Sequence, residues 1–104
     1  MTPEEAKQII ESDVTSNDIF LFMKGTPEAP QCGFSAQVVQ LLGNHGVDYG
    51  SRNVLDEWEI REGVKSFTNW PTIPQLYVKG KFVGGCDIIM DLERKGELKS
   101  ALER

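Results

Sequence analysis

The sequence has few cysteines and histidines, the side chains that most often bind zinc and other transition metals. Its 104 residues include two cysteines, Cys32 and Cys86, and a single histidine, His45. Two cysteines exclude a disulfide-rich secreted scaffold and a tetrahedral zinc site made of thiolates alone. One histidine excludes a histidine-based metal cluster. The two thiols are therefore the side chains whose positions need explaining.

The chain also lacks an excess of basic residues and a long hydrophobic run. It has 11 Lys and Arg against 16 Asp and Glu, a formal net charge of −5. General nucleic-acid binding requires basic surface that displaces counterions, so we expect no nucleic-acid partner. The longest dense apolar run, residues 19–23, is far too short to cross a bilayer, so we expect no membrane partner.

The polar, acidic start of the sequence determines the expected location. Residues 1–8 differ from a signal peptide and from an Arg-rich transit peptide. We therefore expect a cytoplasmic protein in a reducing compartment, where thiols stay free. A mature organelle-matrix protein is the alternative.

Length and hydrophobic periodicity predict one α/β domain over residues 1–104. A chain of this size buries roughly two-thirds of its unfolded surface, enough for a core without disulfides. The pattern predicts the element order α-β-α-β-α-β-β-α, with early crossovers that make parallel strands and a final antiparallel hairpin around Lys79-Gly80. Residues 26–30 contain two prolines and are predicted to be a loop. The side chains predicted for the core include Phe20, Phe22, Phe67, Tyr77, Phe82 and Met90.

Cys32 opens a predicted helix that follows a buried strand and a proline-containing loop. The backbone N–H groups and the dipole of a helix start stabilise a thiolate, and Lys24 adds a nearby positive charge. We therefore expect the pKa of Cys32 to lie below the free-thiol value of about 8.5. Cys32 is a candidate nucleophile or metal ligand, and the alternative is a buried, inert cysteine. Three residues later stands Ser35, whose hydroxyl cannot resolve a mixed disulfide and which we expect to satisfy its own backbone.

Three segments, in this order and spacing, resemble one known family. Residues 32–35 (Cys-Gly-Phe-Ser), 70–74 (Trp-Pro-Thr-Ile-Pro) and 84–87 (Gly-Gly-Cys-Asp) resemble the monothiol glutaredoxins with a Cys-Gly-Phe-Ser active site. The resemblance runs from about residue 6 to residue 98. It implies a thioredoxin-like fold with a central four-stranded mixed sheet flanked by helices. It also implies a single glutaredoxin domain over residues 1–104, with glutathione bound beside Cys32.

The resemblance assigns the glutathione contacts. Ile73-Pro74 matches the family's cis-proline, which would leave the main chain of Ile73 free to pair with the cysteinyl part of glutathione. The turn before Asp87 suits the γ-glutamyl end, and Lys24 and Arg61 suit the glycyl carboxylate. The binding residues implied in this way are Lys24, Arg61, Thr72, Ile73, Pro74, Cys86 and Asp87.

Each of these residues also has a plain structural interpretation. Pro74 fits a trans turn proline and Asp87 a helix cap. Lys24 and Arg61 fit solvated surface charges, and Cys86 fits a partly buried small side chain. In some relatives the second cysteine forms a disulfide with the first, and we treat that pairing as secondary here.

The resemblance also implies a cofactor. A [2Fe–2S] cluster usually needs four thiolates. Two protomers reach that number if each contributes Cys32, the implied metal ligand, and the sulfur of one bound glutathione. The family resembled forms this bridged homodimer, passes the cluster to apo iron–sulfur proteins and pairs with BolA-like proteins.

Two other functions remain open at this point. Cys32 and glutathione suffice to remove glutathione from protein mixed disulfides, although the family resembled has weak oxidoreductase activity. An interaction module of the same fold without chemistry would require Cys32 to be dispensable.

Overall fold

The computed structural model describes residues 1–103, which form five helices and six strands. No helix in this range is both long and apolar enough to cross a bilayer. In chain order the elements are α1 (Pro3–Ser16), β1 (Ile19–Met23), β2 (Gly25–Thr26), β3 (Ala29–Pro30), α2 (Gly33–Asn44), β4 (Gly50–Asn53), α3 (Trp58–Thr68), β5 (Gln75–Val78), β6 (Lys81–Gly84), α4 (Cys86–Arg94) and α5 (Leu98–Leu102).

Four strands form one mixed sheet in the order β4-β1-β5-β6. Strand β1 runs parallel to β4, with Phe20 opposite Gly50, and antiparallel to β5, with Phe20 opposite Tyr77. A parallel pair requires a long crossover, which α2 supplies, whereas β5 and β6 are joined by a tight antiparallel turn. The predicted four-stranded mixed sheet is confirmed, including its parallel pair and its final hairpin.

Helices cover both faces of this sheet, so the fold has three layers. On one face, β1 packs Leu21 with the α2 side chain Leu42 and with Ile89 of α4. On the other face, Phe22 packs with side chains of α1 and α3, including Ile10. All five residues of β1 are buried, as expected for a central strand covered on both sides.

The polar strand β4 is held by an ion pair that sequence reasoning did not find. The Arg52 guanidinium donates to both carboxylate oxygens of Asp13 on α1, at 2.6 and 3.0 Å. It also donates to Glu57 at the start of α3, at 2.8 Å. Hydrogen bonding to Asp13 and then to Glu57 raises the pKa of Arg52 despite its partial burial. This edge strand is therefore held by an ion pair in addition to its pairing with β1, whereas β1 itself is fully buried.

Two predictions about the chain path and core are wrong. Residues 26–30 are not an unpaired loop, because β2 and β3 form a short antiparallel ladder in which Gly25 lies opposite Pro30. A two-stranded edge ladder tolerates proline, since its missing N–H leaves no central strand unpaired. Met90 is not in the core: it lies on the outer face of α4 and is 42% exposed.

Two glycines offer a test of the packing. A Cβ on Gly50 would lie 2.8 Å from the Phe20 ring and 2.9 Å from Asn17, whereas nothing lies within 4 Å of a Cβ on Gly43 in α2. Gly50→Ala is expected to destabilise the protein by about 1–3 kcal/mol through overpacking. Gly43→Ala is expected to stabilise it by about 0.5 kcal/mol, because alanine is the better helix former. Urea unfolding of both variants measures the two effects, and a neutral Gly50→Ala would contradict the packing described for β4 against β1.

Candidate functional site

Cys32 is the N-cap residue of α2, in an extended conformation with φ −149° and ψ 137°. Its side chain is half-exposed and forms no disulfide. The backbone N–H of Ser35 contributes most to lowering the pKa of the Cys32 thiol, followed by the N–H of Phe34 and the charge of Lys24. Partial burial opposes these effects without reversing them. The thiol therefore ionises more readily than a free cysteine, which suits a nucleophile or a metal ligand.

Ser35 does more than the sequence predicted. Its side chain is fully buried, and its Oγ accepts a hydrogen bond from the backbone N–H of Lys24 at 3.1 Å. The expectation that Ser35 satisfies its own backbone is therefore wrong. Lys24 is held further by its carbonyl, which accepts from the Gln31 N–H at 2.9 Å. The next residue, Gly25, donates its N–H to the Asn53 side chain at 2.9 Å.

A cavity of about 370 Å³ lies beside this helix start. All seven residues that the resemblance assigned to glutathione line it, together with Phe34, Lys65, Trp70, Pro71, Gly85 and Ile88. Cys32 itself does not line the cavity. Its thiol interacts electrostatically with Lys24 and Cys86, and both of these residues line it. The structure thus gathers the predicted residues around one cavity, with Cys32 adjacent to it.

One wall of the cavity is a loop held by the buried side chain of Gln75. The Gln75 amide donates to the carbonyls of Trp70 and Thr72, at 3.1 and 3.2 Å. Its carbonyl accepts from the hydroxyls of Thr68 and Tyr77, at 3.1 and 3.0 Å. The buried amide therefore has a partner for every hydrogen-bonding position that it needs. Sequence reasoning missed this role, which nothing in the local pattern signals.

The same loop contains a cis peptide bond between Ile73 and Pro74, as the family resemblance implied. Both residues are buried at the start of β5. Opposite them, Gly85 caps α4, and a Cβ there would lie 3.2 Å from the Pro74 carbonyl oxygen and 3.3 Å from Trp70 Nε1. Glycine at this position allows the α4 N-terminus to approach the loop closely. The helix start and the exposed carboxylate of Asp87 therefore both reach the cavity.

The cavity lining carries positive charge and two buried hydrogen-bond donors that have no partner among the described residues. Lys24, Arg61 and Lys65 bring positive charge to its lining, against the single carboxylate of Asp87. Arg61 Nε and Trp70 Nε1 are buried, and neither finds an acceptor among the residues that the structure describes. A buried unsatisfied donor is costly, so these two groups indicate a ligand that carries acceptors. Lys65, which sequence reasoning missed, follows Arg61 by one helical turn on α3, a spacing that would have identified it.

The second cysteine is a different kind of thiol. Cys86 is buried at the start of α4 and its thiol donates to the Gln37 side chain of α2, with 3.1 Å between sulfur and oxygen. Burial, then the nearby charges of Asp87 and Cys32, raise the pKa of Cys86. Within residues 1–103 no three His, Cys, Asp or Glu side chains are grouped so that they could hold a metal ion. Of the two cysteines, Cys32 is therefore the more exposed one and the one whose thiol ionises more readily.

Comparisons with known proteins agree with this geometry. The glutaredoxin family model matches residues 19–83. The mitochondrial monothiol glutaredoxin-5 of Lachancea kluyveri is 57% identical over 102 residues, covering 95% of this chain and 71% of that protein. The mitochondrial monothiol glutaredoxin-S15 of Arabidopsis thaliana is 46% identical over 100 residues, covering 96% of this chain and 59% of that protein. The chain belongs to the glutaredoxin family, and within it to the monothiol glutaredoxins.

The fold agrees with a solved relative as well. The crystal structure of a buckwheat glutaredoxin–glutathione complex matches with a TM-score of 0.86 at 28% sequence identity, over 97% of this chain and 90% of that chain. This match and the four-stranded mixed sheet confirm the thioredoxin-like fold.

The expectation of a cytoplasmic location is wrong. The relatives from Lachancea kluyveri and Arabidopsis thaliana are both named mitochondrial, which points away from the cytoplasm. The prediction failed because it relied on the absence of a leader in residues 1–8. Residues 1–8 of a domain do not specify its location, because targeting segments are recognised separately from the fold.

The two thiols should differ in the pH at which they react. Because the thiolate is the reactive form, the Cys86→Ser variant, which keeps Cys32, should be alkylated by iodoacetamide with a midpoint below about 8.5. The Cys32→Ser variant, which keeps Cys86, should react slowly and with a midpoint above that value. Lys24→Met should raise the Cys32 midpoint by removing a positive charge. Equal midpoints for the two cysteines would contradict the assignment of Cys32 as the ionised thiol.

Proposed function

We propose that the cavity beside Cys32 binds glutathione and that the protein uses it to carry a [2Fe–2S] cluster. The observation that carries the first part is the pair of buried donors Arg61 Nε and Trp70 Nε1, which have no acceptor among the described residues. Their side chains line a cavity next to Cys32, whose thiol pKa is lowered. Glutathione supplies carboxylate and carbonyl acceptors for such donors, together with a thiol of its own. The glutathione bound by the buckwheat neighbour supports the same ligand.

The cavity walls suit the parts of the tripeptide in a definite order. Lys24 and Arg61 would form charge-assisted hydrogen bonds with the glycyl carboxylate, with Lys65 adding charge nearby. The main chain of Ile73 would pair with the cysteinyl residue as a short added strand. At the other end, the N-terminus of α4 would bind the γ-glutamyl carboxylate, and Asp87 would accept from the ammonium group.

Cluster carriage is what the resemblance to the monothiol glutaredoxins implies, and the number of sulfur ligands is consistent with it. A [2Fe–2S] cluster usually takes four thiolates, and one protomer offers only Cys32 at its surface. Two protomers and two glutathiones complete the set, so the cluster would be cargo held between protomers of a homodimer. Ligands that are exposed and partly exogenous suit release to apo iron–sulfur proteins, and a BolA-like protein is the further partner that we propose. The names of the relatives favour a mitochondrial setting for this transfer.

Removal of glutathione from proteins is a second candidate, favoured by the low pKa of Cys32. The Cys32 thiolate would attack the glutathione sulfur of a protein mixed disulfide, releasing the protein thiolate and leaving Cys32 joined to glutathione. A second glutathione thiolate would then attack that sulfur, releasing Cys32 and oxidised glutathione. Ser35 has no sulfur with which to resolve the intermediate, and the Cys86 thiol is buried and bonded to Gln37. This reaction therefore uses the route in which free glutathione resolves the intermediate.

Anaerobic reconstitution with iron, sulfide and glutathione separates the two functions. Carriage of a cluster predicts a brown dimer by absorbance and sedimentation, which is lost when glutathione is omitted and in Cys32→Ser. Cys86→Ser is the matched control: it should keep the cluster, because the Cys86 side chain is buried and its main chain is unchanged. A colourless monomer that rapidly deglutathionylates a test protein would contradict cluster carriage and support the second candidate.

A further inference from the structure

A second groove lies on the other side of α3 and takes no part in the proposed glutathione site. It runs between residues 3–7 of α1 and residues 58–67 of α3, and we refer to it as the α1–α3 groove. Its volume is about 700 Å³, against about 370 Å³ for the cavity beside Cys32. The two share no lining residue, so one can be occupied while the other is free.

The α1–α3 groove offers apolar contact surface. Trp58, in the first turn of α3, lines it and is 64% exposed, and half-buried Phe67 lies at the other end of the helix. Gly63 between them lets the helices approach, since a Cβ there would lie 3.0 Å from the Ile10 side chain. Tryptophan is enriched in the energetically dominant parts of protein interfaces. An indole left in solvent beside a groove is therefore a candidate anchor for a partner protein.

The charge of the α1–α3 groove indicates what kind of partner fits. Helix α3 separates its charges by side: Arg61 and Lys65 line the glutathione cavity, whereas Glu59 and Glu62 line the groove. Glu4 of α1 adds a third carboxylate, and Lys7 is the one cation in the described lining. Glu62 is paired with Lys65 at 3.1 Å, which leaves Glu4 and Glu59 without such a partner among the described residues. A partner with basic residues around an apolar centre would match this rim.

We propose that the α1–α3 groove docks a basic, amphipathic segment of another protein. An aliphatic side chain of that segment would pack against Trp58 and Phe67, and flanking Lys or Arg side chains would face Glu4, Glu59 and Glu62. Such docking would hold a partner on the protein without covering the glutathione cavity. This docking proposal depends only on the residues of the α1–α3 groove. It does not require that the ligand beside Cys32 be glutathione.

The test uses a pool of synthetic amphipathic peptides of about 14 residues, with Leu and Lys at helical spacing and no tryptophan. A matched pool has Glu in place of Lys. Proton–nitrogen spectra report on the two indole N–H signals separately. The basic pool is expected to shift the Trp58 signal and leave Trp70 unmoved, and the acidic pool is expected to shift neither. Binding should weaken as salt is raised, because the rim charges are exposed.

Charge-reversal variants show whether the carboxylates of the α1–α3 groove determine the preference for the basic pool. Glu59→Lys with Glu62→Lys is expected to weaken binding of the basic pool by about tenfold or more. The matched control, Glu97→Lys with Glu103→Lys, makes the same change in net charge away from the groove and should bind as the parent does. Equal binding by both double variants would overturn the proposal, as would a basic pool that leaves Trp58 unmoved. A Trp58 signal that shifts with protein concentration alone would also overturn it, by assigning the groove to a second copy of the chain.

Discussion

The buried hydroxyl of Ser35 is the contact on which the reactive site depends. Its Oγ accepts the Lys24 N–H and so fastens the start of α2 to the end of β1, while its own N–H is the largest contributor to the low pKa of Cys32. One residue thereby sets both the ionisation of the thiol and the place of the nearby cation. Because Ser35 carries no sulfur, no second thiol stands three residues after Cys32. The other cysteine at the cavity, Cys86, is buried and donates to Gln37, so the two thiols are not equivalent.

The ligand cavity is built from two parts that are fixed separately. The loop before β5 is held by the amide of Gln75, which is satisfied on all sides in the interior. The start of α4 reaches that loop because Gly85 lacks a side chain. Arg61 and Trp70 are left with donors that no described residue accepts. A ligand that carries acceptors would satisfy these two donors.

Features determined by local sequence were predictable, and features determined by distant contacts were not. The helix that begins after Cys32 and the β5–β6 hairpin follow from neighbouring residues, so their prediction succeeded. The bond from Lys24 to Ser35 spans eleven positions and that from Cys86 to Gln37 spans forty-nine, and no periodic pattern encodes such pairs. The family resemblance identified seven of the residues that line the cavity, but neither Lys65 nor the hydrogen-bond network around Gln75 that holds one wall.

Titration of the nitrogen-15-labelled protein with reduced glutathione tests most directly whether the cavity beside Cys32 binds glutathione. Its two tryptophans report separately, because Trp70 lines this cavity and Trp58 lines the α1–α3 groove. If the cavity beside Cys32 is the glutathione site, the Trp70 indole N–H and the Arg61 Nε–H should move in proton–nitrogen spectra as they gain acceptors, while the Trp58 indole stays in place. Saturating glutathione that leaves Trp70 and Arg61 unmoved would contradict the account, whatever the reactivity of Cys32.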